Sequence, residues 1–184
     1  MNYQTLENRD PEIYDLIKKE EQRQKEGLEM IPSENYASAA VLEAMGSILN
    51  DKYAEGYPGR RYYGGNAVID EVERLCQRRA REVFGAADYH VNVQPYSGSP
   101  ANIAVYLALL KFGDSIMSLN LAHGGHLTHG SPVSLSGRAY KIVHYEVDPK
   151  TEQLNYEQIA KLARHHKPKL ILSGFTAYPR QIDF

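Results

Sequence analysis

Residues 91 to 109 constrain the fold more than any other stretch. Val91-Asn-Val-Gln-Pro-Tyr alternates apolar and polar positions, Ser97-Gly98-Ser99-Pro100 breaks the alternation, and Asn102 to Leu109 resumes as an almost wholly apolar run. The pattern predicts a strand, a tight turn and a buried helix whose N-terminus points back at the turn. Pro100 fits the first helical turn, and Gly98 lets backbone approach a ligand closely. Unpaired N–H groups at such a helix end, with two serines beside them, suit a phosphate. They suit plain capping equally well, because serine is a common N-cap.

The downstream sequence repeats the alternation of strand and helix. Ser115 to Leu119 predicts a strand, Ala139 to Val147 another, Asp148-Pro-Lys-Thr a turn and Asn155 to His165 a helix. Asn155 with Gln158 makes a capping-box variant. Lys169 to Gly174 predicts a buried strand, and Phe175 to Phe184 a loop. This order indicates an α/β fold, a parallel sheet with helices on both faces. Ligands of such sheets sit beyond the carboxyl ends of the strands. The Ser97 turn, the His126 loop and the Thr176 loop all follow strands, so their expected convergence favours the phosphate reading.

Upstream, Asp10 and Pro11 start a helix that Gly27 ends, with Ile13, Leu16 and Ile17 on its apolar face and a charged second half. Leu28 to Ile31 is a strand-like run broken by Pro32. Ser33-Glu34-Asn35 then offers three hydrogen-bonding side chains, in a polar contact or in a solvated turn. Ser38 caps a helix whose stripe of Val41, Leu42, Met45, Ile48 and Leu49 predicts core. Residues 51 to 66 hold four glycines, a proline and four tyrosines, which predicts an irregular loop with a binding role. A helix from Asn66 or Ala67 to Phe84 follows, stopped by Gly85, with Cys76 on its apolar face as a packing residue.

Composition narrows the function classes. A 184-residue chain is long enough for a sizeable core. Its net charge of −2 argues against nucleic acid or an anionic membrane as main partner. No apolar run is long enough to span a bilayer, and Met1 to Glu7 lacks the pattern of a signal peptide, so a cytoplasmic protein is expected. The single cysteine excludes an intrachain disulfide and a thiolate metal cluster. His123, His126 and His129 recur every three residues, but the glycines between them and the lack of nearby carboxylates argue against a metal. A histidine laid against an aromatic ligand is the better expectation. Fourteen tyrosines with no tryptophan, several within residues 53 to 63, point to rings facing a ligand or another chain.

Four runs resemble the serine hydroxymethyltransferases: Ser33-Glu-Asn-Tyr36, the stretch from Lys52 to Gly65, Gln94 to Asn102, and Leu121-Ala-His-Gly-Gly-His-Leu-Thr-His-Gly130. The likeness covers nearly the whole chain and corresponds to the N-terminal part of the family's usual length. It implies a pyridoxal-phosphate fold type I (aspartate-aminotransferase-like) large domain, truncated, behind an N-terminal helical arm. Residues 1–50 would form the arm and the substrate-side segment, and 51–184 the first part of the cofactor-binding domain. The implied reaction is reversible transfer of a hydroxymethyl group between serine and tetrahydrofolate, giving glycine and 5,10-methylenetetrahydrofolate. The resemblance assigns the cofactor phosphate to Ser97, Gly98 and Ser99, ring stacking to His126, and the phenolic oxygen to Thr176. It sends Tyr53 to the phosphate of a partner subunit's cofactor, which implies a homodimer with shared sites. Ser33 and Tyr63 would bind the amino acid, and Glu55 would be the acid/base. Tyr62, Leu121, Gly125, His126 and Leu127 would line the folate pocket.

Two departures are mild: Pro32 stands where the family often has alanine, and Thr176 where serine is frequent. The Schiff-base lysine and the carboxylate-binding arginine of the family lie further along than Phe184, so the 184-residue chain is expected to be inactive alone. A threonine aldolase of the same architecture is the alternative enzyme, and a non-catalytic phosphate-binding or dimerisation module the alternative outside enzymology. The expected sheet also carries an exposed edge.

Overall fold

The computed structural model describes residues 4–31 and 33–184; Pro32, singled out by its family position, lies outside them. The chain divides into a first unit ending at Gln94 and a second from Pro95 to Phe184.

The first unit is mainly helical. α1 (Gln4–Arg9) precedes α2 (Pro11–Glu26), where the Asp10 side chain accepts the Ile13 N–H and Gly27 closes the last turn, as predicted. Residues 28–31 form no strand; Leu28 and Met30 are exposed, having no neighbouring strand with which to pair. α3 (Ala39–Met45) begins at Ser38, whose hydroxyl accepts the Val41 N–H. α3 stops at Met45, short of the end of the predicted stripe, and Ile48 and Leu49 fall on a separate 3₁₀ turn (Ile48–Asp51); Val41, Leu42, Met45, Ile48 and Leu49 are all exposed and form no core. Every residue of α3 is exposed, so the predicted core face has nothing packed on it among the described residues.

The glycine-rich stretch is more regular than expected. β1 (Gly56–Tyr57) pairs antiparallel with β2 (Arg60–Arg61), and the Tyr62 N–H adds a rung to the Glu55 carbonyl at 3.2 Å. Glycine makes this hairpin rather than forbidding it. Gly56 has φ of 95°, and a Cβ there would strike the Arg60 carbonyl oxygen. α4 (Ala67–Phe84) then ends at Gly85 in the left-handed conformation. Cys76 lies exposed on α4 rather than packed.

Residues 91–95 form no strand, contrary to the pattern, and the second unit's α5 (Gly98–Leu109) starts from Ser97. α5 is also less buried than its composition suggests. Tyr106 is sealed, while Val105, Leu107 and Leu109 face solvent. β3 (Ser115–Leu119) is central in a parallel sheet ordered β4-β3-β5, with β4 (Lys141–Tyr145) and β5 (Leu170–Ile171) as edges. β5 is shorter than predicted and Ile171 is exposed, because an edge strand has only one neighbour. α6 (Leu135–Ala139), capped by Ser134, occupies ground where the sequence announced nothing. α7 (Tyr156–His166) starts at Asn155, which accepts the Gln158 N–H as expected.

β3 alternates its side chains between two cores. Ile116 packs with Tyr106, Leu110 and Tyr140, whereas Met117 and Leu119 pack with Tyr145 and Leu154. Both faces are covered, which is why this strand reads as continuously apolar. The result is an α/β unit whose strands all point the same way, so their carboxyl ends share one rim.

Candidate functional site

Three loops meet at that rim. Ser97, Gly98 and Ser99 at the start of α5, Asn102 one turn later, His126 and His129, and the segment from Leu172 to Thr176 line one cavity of about 450 Å3. That volume suits a small cofactor.

The N-terminal end of α5 leaves backbone donors unused. Ser97 holds the N-cap position in extended backbone, yet its side chain makes no capping bond. Ser38, Ser134 and Asn155 each cap their helices. The first backbone bond of α5 runs from the Ala101 N–H to the Ser97 carbonyl at 3.3 Å, and Pro100 has no N–H to place. The N–H groups of Gly98 and Ser99 have no acceptor within the helix, and they share the cavity with two hydroxyls.

The other two loops are joined through Gly124. Its carbonyl accepts the N–H of Thr176 at 3.0 Å and of Ala177 at 3.1 Å. The close approach requires glycine: φ is 105°, and a Cβ would lie 2.8 Å from the Tyr178 nitrogen. Gly125 is buried, and a Cβ there would collide with the Leu119 carbonyl oxygen. This pair of glycines folds the histidine loop flat against the end of β3.

The histidine loop is pinned from below. Buried Tyr106 donates its hydroxyl to the Thr128 carbonyl at 3.0 Å, and Ser118 donates to the His129 carbonyl. His126 stands at the N-terminus of the 3₁₀ turn Leu127–His129, with Nδ1 toward the Thr128 backbone. The rings of His126 and His129 lie 5.5 Å apart. Burial, with His126 beside it, pushes the His129 imidazole below its ordinary value. Its Nδ1 is buried with no hydrogen-bond partner. Leu121 and Leu127, on the turns flanking His126, are each half exposed.

The remaining expected residues lie in the first unit. Tyr53 and Tyr63 bring their rings to 6.0 Å, and Glu55 and Tyr62 flank the β1–β2 hairpin, all exposed. Ser33 is exposed in a turn, while Glu34 and Asn35 line a cavity of about 440 Å3 with Arg23 and Glu29.

One cluster escaped the sequence reading altogether. Arg61 Nε meets Asp70 at 2.8 Å, Nη2 meets Glu73 at 2.6 Å, and Nη1 donates to the Ala54 and Gly56 carbonyls at 2.6 and 2.9 Å. Asp70 also accepts the Gly59 N–H at 2.7 Å, and Gln94 bridges Gly56 and Glu73. One guanidinium therefore fastens the tyrosine-bearing hairpin to α4. Its only sequence signal is a pair of carboxylates three residues apart on a helix, which is too common to single out. Asn102, Ser173 and Phe175 at the cavity were likewise not singled out.

The profile of the serine hydroxymethyltransferases matches residues 6–184. The chain belongs to the serine hydroxymethyltransferase family. It is 58% identical over 183 residues to the serine hydroxymethyltransferase of Synechococcus sp. (strain JA-3-3Ab), and equally to that of Cyanothece sp. (strain PCC 7425). All of the chain is covered in both cases, but only 42% of each relative.

The residues present fit the cofactor of this family. The uncapped helix end and two serine hydroxyls supply donors for a phosphate. A histidine ring and the Thr176 hydroxyl stand on the other loops of the same cavity.

Proposed function

We propose that this chain forms the phosphate-gripping part of a pyridoxal-phosphate site in a fold type I enzyme that exchanges a hydroxymethyl group between serine and tetrahydrofolate. One observation carries the reading: the uncapped start of α5 opens into the same cavity as His126 and Thr176.

In this reading the Gly98 and Ser99 N–H groups and the Ser97 and Ser99 hydroxyls bind the phosphate. His126 lies against the pyridine ring, and Thr176 donates to its phenolic oxygen. Bound pyridoxal phosphate supplies the electron sink that lets the bond to the hydroxymethyl carbon break. Glu55 holds or returns the proton at the serine hydroxyl, work suited to an exposed carboxylate on a fixed hairpin. Ser33 and Tyr63 orient the amino acid. Tyr62, Leu121 and Leu127 accept the folate, with the half-exposed leucines beside His126 offering apolar surface for it, while buried Gly125 shapes their loop rather than touching the ligand. Tyr53 serves the cofactor of a second subunit, so the enzyme works as a homodimer.

The 184-residue chain by itself binds cofactor weakly and does not turn over. A phosphate at a helix end gains ~0.3–2 kcal/mol from the dipole and about 1.5–3 kcal/mol per charge-assisted hydrogen bond. Four such bonds supply more than ~4 kcal/mol, but association costs about 4–15 kcal/mol, and a net ~4 kcal/mol corresponds to roughly millimolar affinity. Among the described residues no lysine lines the cavity to hold the cofactor covalently. 1H–15N NMR of the labelled chain, titrated with pyridoxal phosphate, tests the site. Shifts at the Ser97 to Ser99 amides with a millimolar Kd are expected, and their absence at saturating ligand would overturn it. A serine-dependent methylene-transfer assay tests the second statement, which any turnover by this chain refutes.

A further inference from the structure

His126 accepts the backbone N–H of Thr128 on its side-chain Nδ1 at 3.1 Å, closing the turn Leu127–His129. The Thr128 hydroxyl oxygen lies 2.9 Å from the same nitrogen. That oxygen accepts an amide N–H of Asn102, on α5, at 3.2 Å.

A backbone N–H only donates, so Nδ1 presents a lone pair and carries no proton while that bond is made. One such donor biases the tautomer, and a second, from the Thr128 hydroxyl, holds it. The Asn102 amide occupies a lone pair of the Thr128 oxygen, which leaves the hydroxyl hydrogen free to point at Nδ1. A neutral imidazole with one acceptor nitrogen carries its proton on the other. We propose that Asn102 and Thr128 are positioning residues that hold His126 as its Nε2–H tautomer and fix the plane of its ring at the cavity. The placement of this ring against a cofactor rests on the function proposed above; the tautomer does not.

The consequence is a specific kind of surface. A ring whose Nδ1 is committed to its own loop offers the cavity a π face and one donor, Nε2–H. It offers no acceptor. Such a ring stacks on an electron-poor aromatic ligand and recognises an acceptor oxygen beside it, but gives nothing to a donor. Tyr106 extends the chain of support, since its hydroxyl holds the Thr128 carbonyl while Asn102 holds the Thr128 side chain from the same helix.

The decisive measurement is a two-bond 1H–15N spectrum of the imidazoles in the 15N-labelled chain at pH 7. His126 is assigned by the signals missing from His126→Asn. The expected pattern places Nε2 at the frequency of an N–H nitrogen and Nδ1 at that of an acceptor. Thr128→Val deletes the hydroxyl but keeps the backbone donor, and should move the pattern toward averaged tautomers, with Thr128→Ser restoring it. A proton found on Nδ1 in the parent chain, or a Thr128→Val spectrum identical to the parent, overturns the proposal. Pyridoxal phosphate added to the same sample separates the two readings. An Nε2–H pattern without any ligand response keeps the tautomer and sinks the cofactor site. A ligand response with the proton on Nδ1 does the reverse.

Discussion

The guanidinium of Arg61 meets the carboxylate of Asp70 at 2.8 Å, with side chains only 5% and 11% exposed. Arg61 comes from the hairpin and Asp70 from the first turns of α4, so the pair fixes where Tyr53, Glu55, Tyr62 and Tyr63 stand. Removing one partner strands the other charge away from water, which is costlier than never having built the pair. Arg61→Ala is therefore expected to lower the Tm by several degrees. Arg61→Lys should recover only part of the loss, because an ammonium cannot serve two carboxylates and two carbonyls in the geometry of a planar fork. Equal melting curves for Arg61→Ala and the parent chain would contradict this.

The same pair sets an acid limit. The Arg61 hydrogen bond, then that from the Gly59 N–H, hold the Asp70 carboxyl below its ordinary value of 3.8 against the opposing effect of burial. A depressed carboxyl stabilises the fold fully above its unfolded value, and the contribution is lost as pH falls through the folded one. Thermal melts taken between pH 7 and pH 3 should show stability falling at the acid end. Asp70→Asn should be less stable at neutral pH and show a shallower fall.

At alkaline pH the buried tyrosines take over. Burial pushes the hydroxyls of Tyr106 and Tyr145 up from 10 to about 12. A raised phenol stabilises the fold fully below its unfolded value, and the contribution is lost as pH rises through the folded one. Stability should thus decline between pH 10 and about 12, with tyrosinate absorbance appearing in a late step that coincides with unfolding. Tyr106→Phe leaves the Thr128 carbonyl without its donor and should cost about 1–3 kcal/mol in denaturant unfolding at neutral pH.

Local chemistry made much of this molecule legible. Asp10, Ser38 and Asn155 cap the helices they precede, and Gly27 and Gly85 end theirs, because a cap depends on residues within one turn. The gathering of His126 and Thr176 followed from parallel topology, which puts every loop after a strand on one rim; Ser97 lines the same cavity although the segment before it joins no sheet. What failed was non-local. Val91 to Pro95 has a strand's alternation but no partner to pair with, and the α3 stripe has a core's periodicity but no covering layer. The Arg61 clamp joins a hairpin to a helix through charges that an amphipathic pattern does not register. Asn102 and Thr128 were visible only as members of a motif, since their use depends on a contact across 26 residues of chain.

Gly124 approaches the Ala177–Tyr178 backbone closely. Gly124→Ala should destabilise by more than Gly113→Ala. Both residues have positive φ, 105° and 88°, so both substitutions carry the strain of an L side chain there, of order 1–3 kcal/mol. Nothing lies within 4 Å of the Cβ that Gly113→Ala would add. At Gly124 the new Cβ would meet the Tyr178 nitrogen at 2.8 Å and the Ala177 carbonyl carbon at 3.0 Å, both backbone atoms that cannot rotate away. The difference between the two denaturation midpoints isolates the contact from the strain. Because Gly124 also accepts the Thr176 and Ala177 N–H groups, displacing that segment should show up as faster hydrogen exchange at those two amides. In Gly113→Ala their exchange should stay at the parent rate. Identical exchange in the two variants would mean that the histidine and threonine loops are held together by something other than this carbonyl.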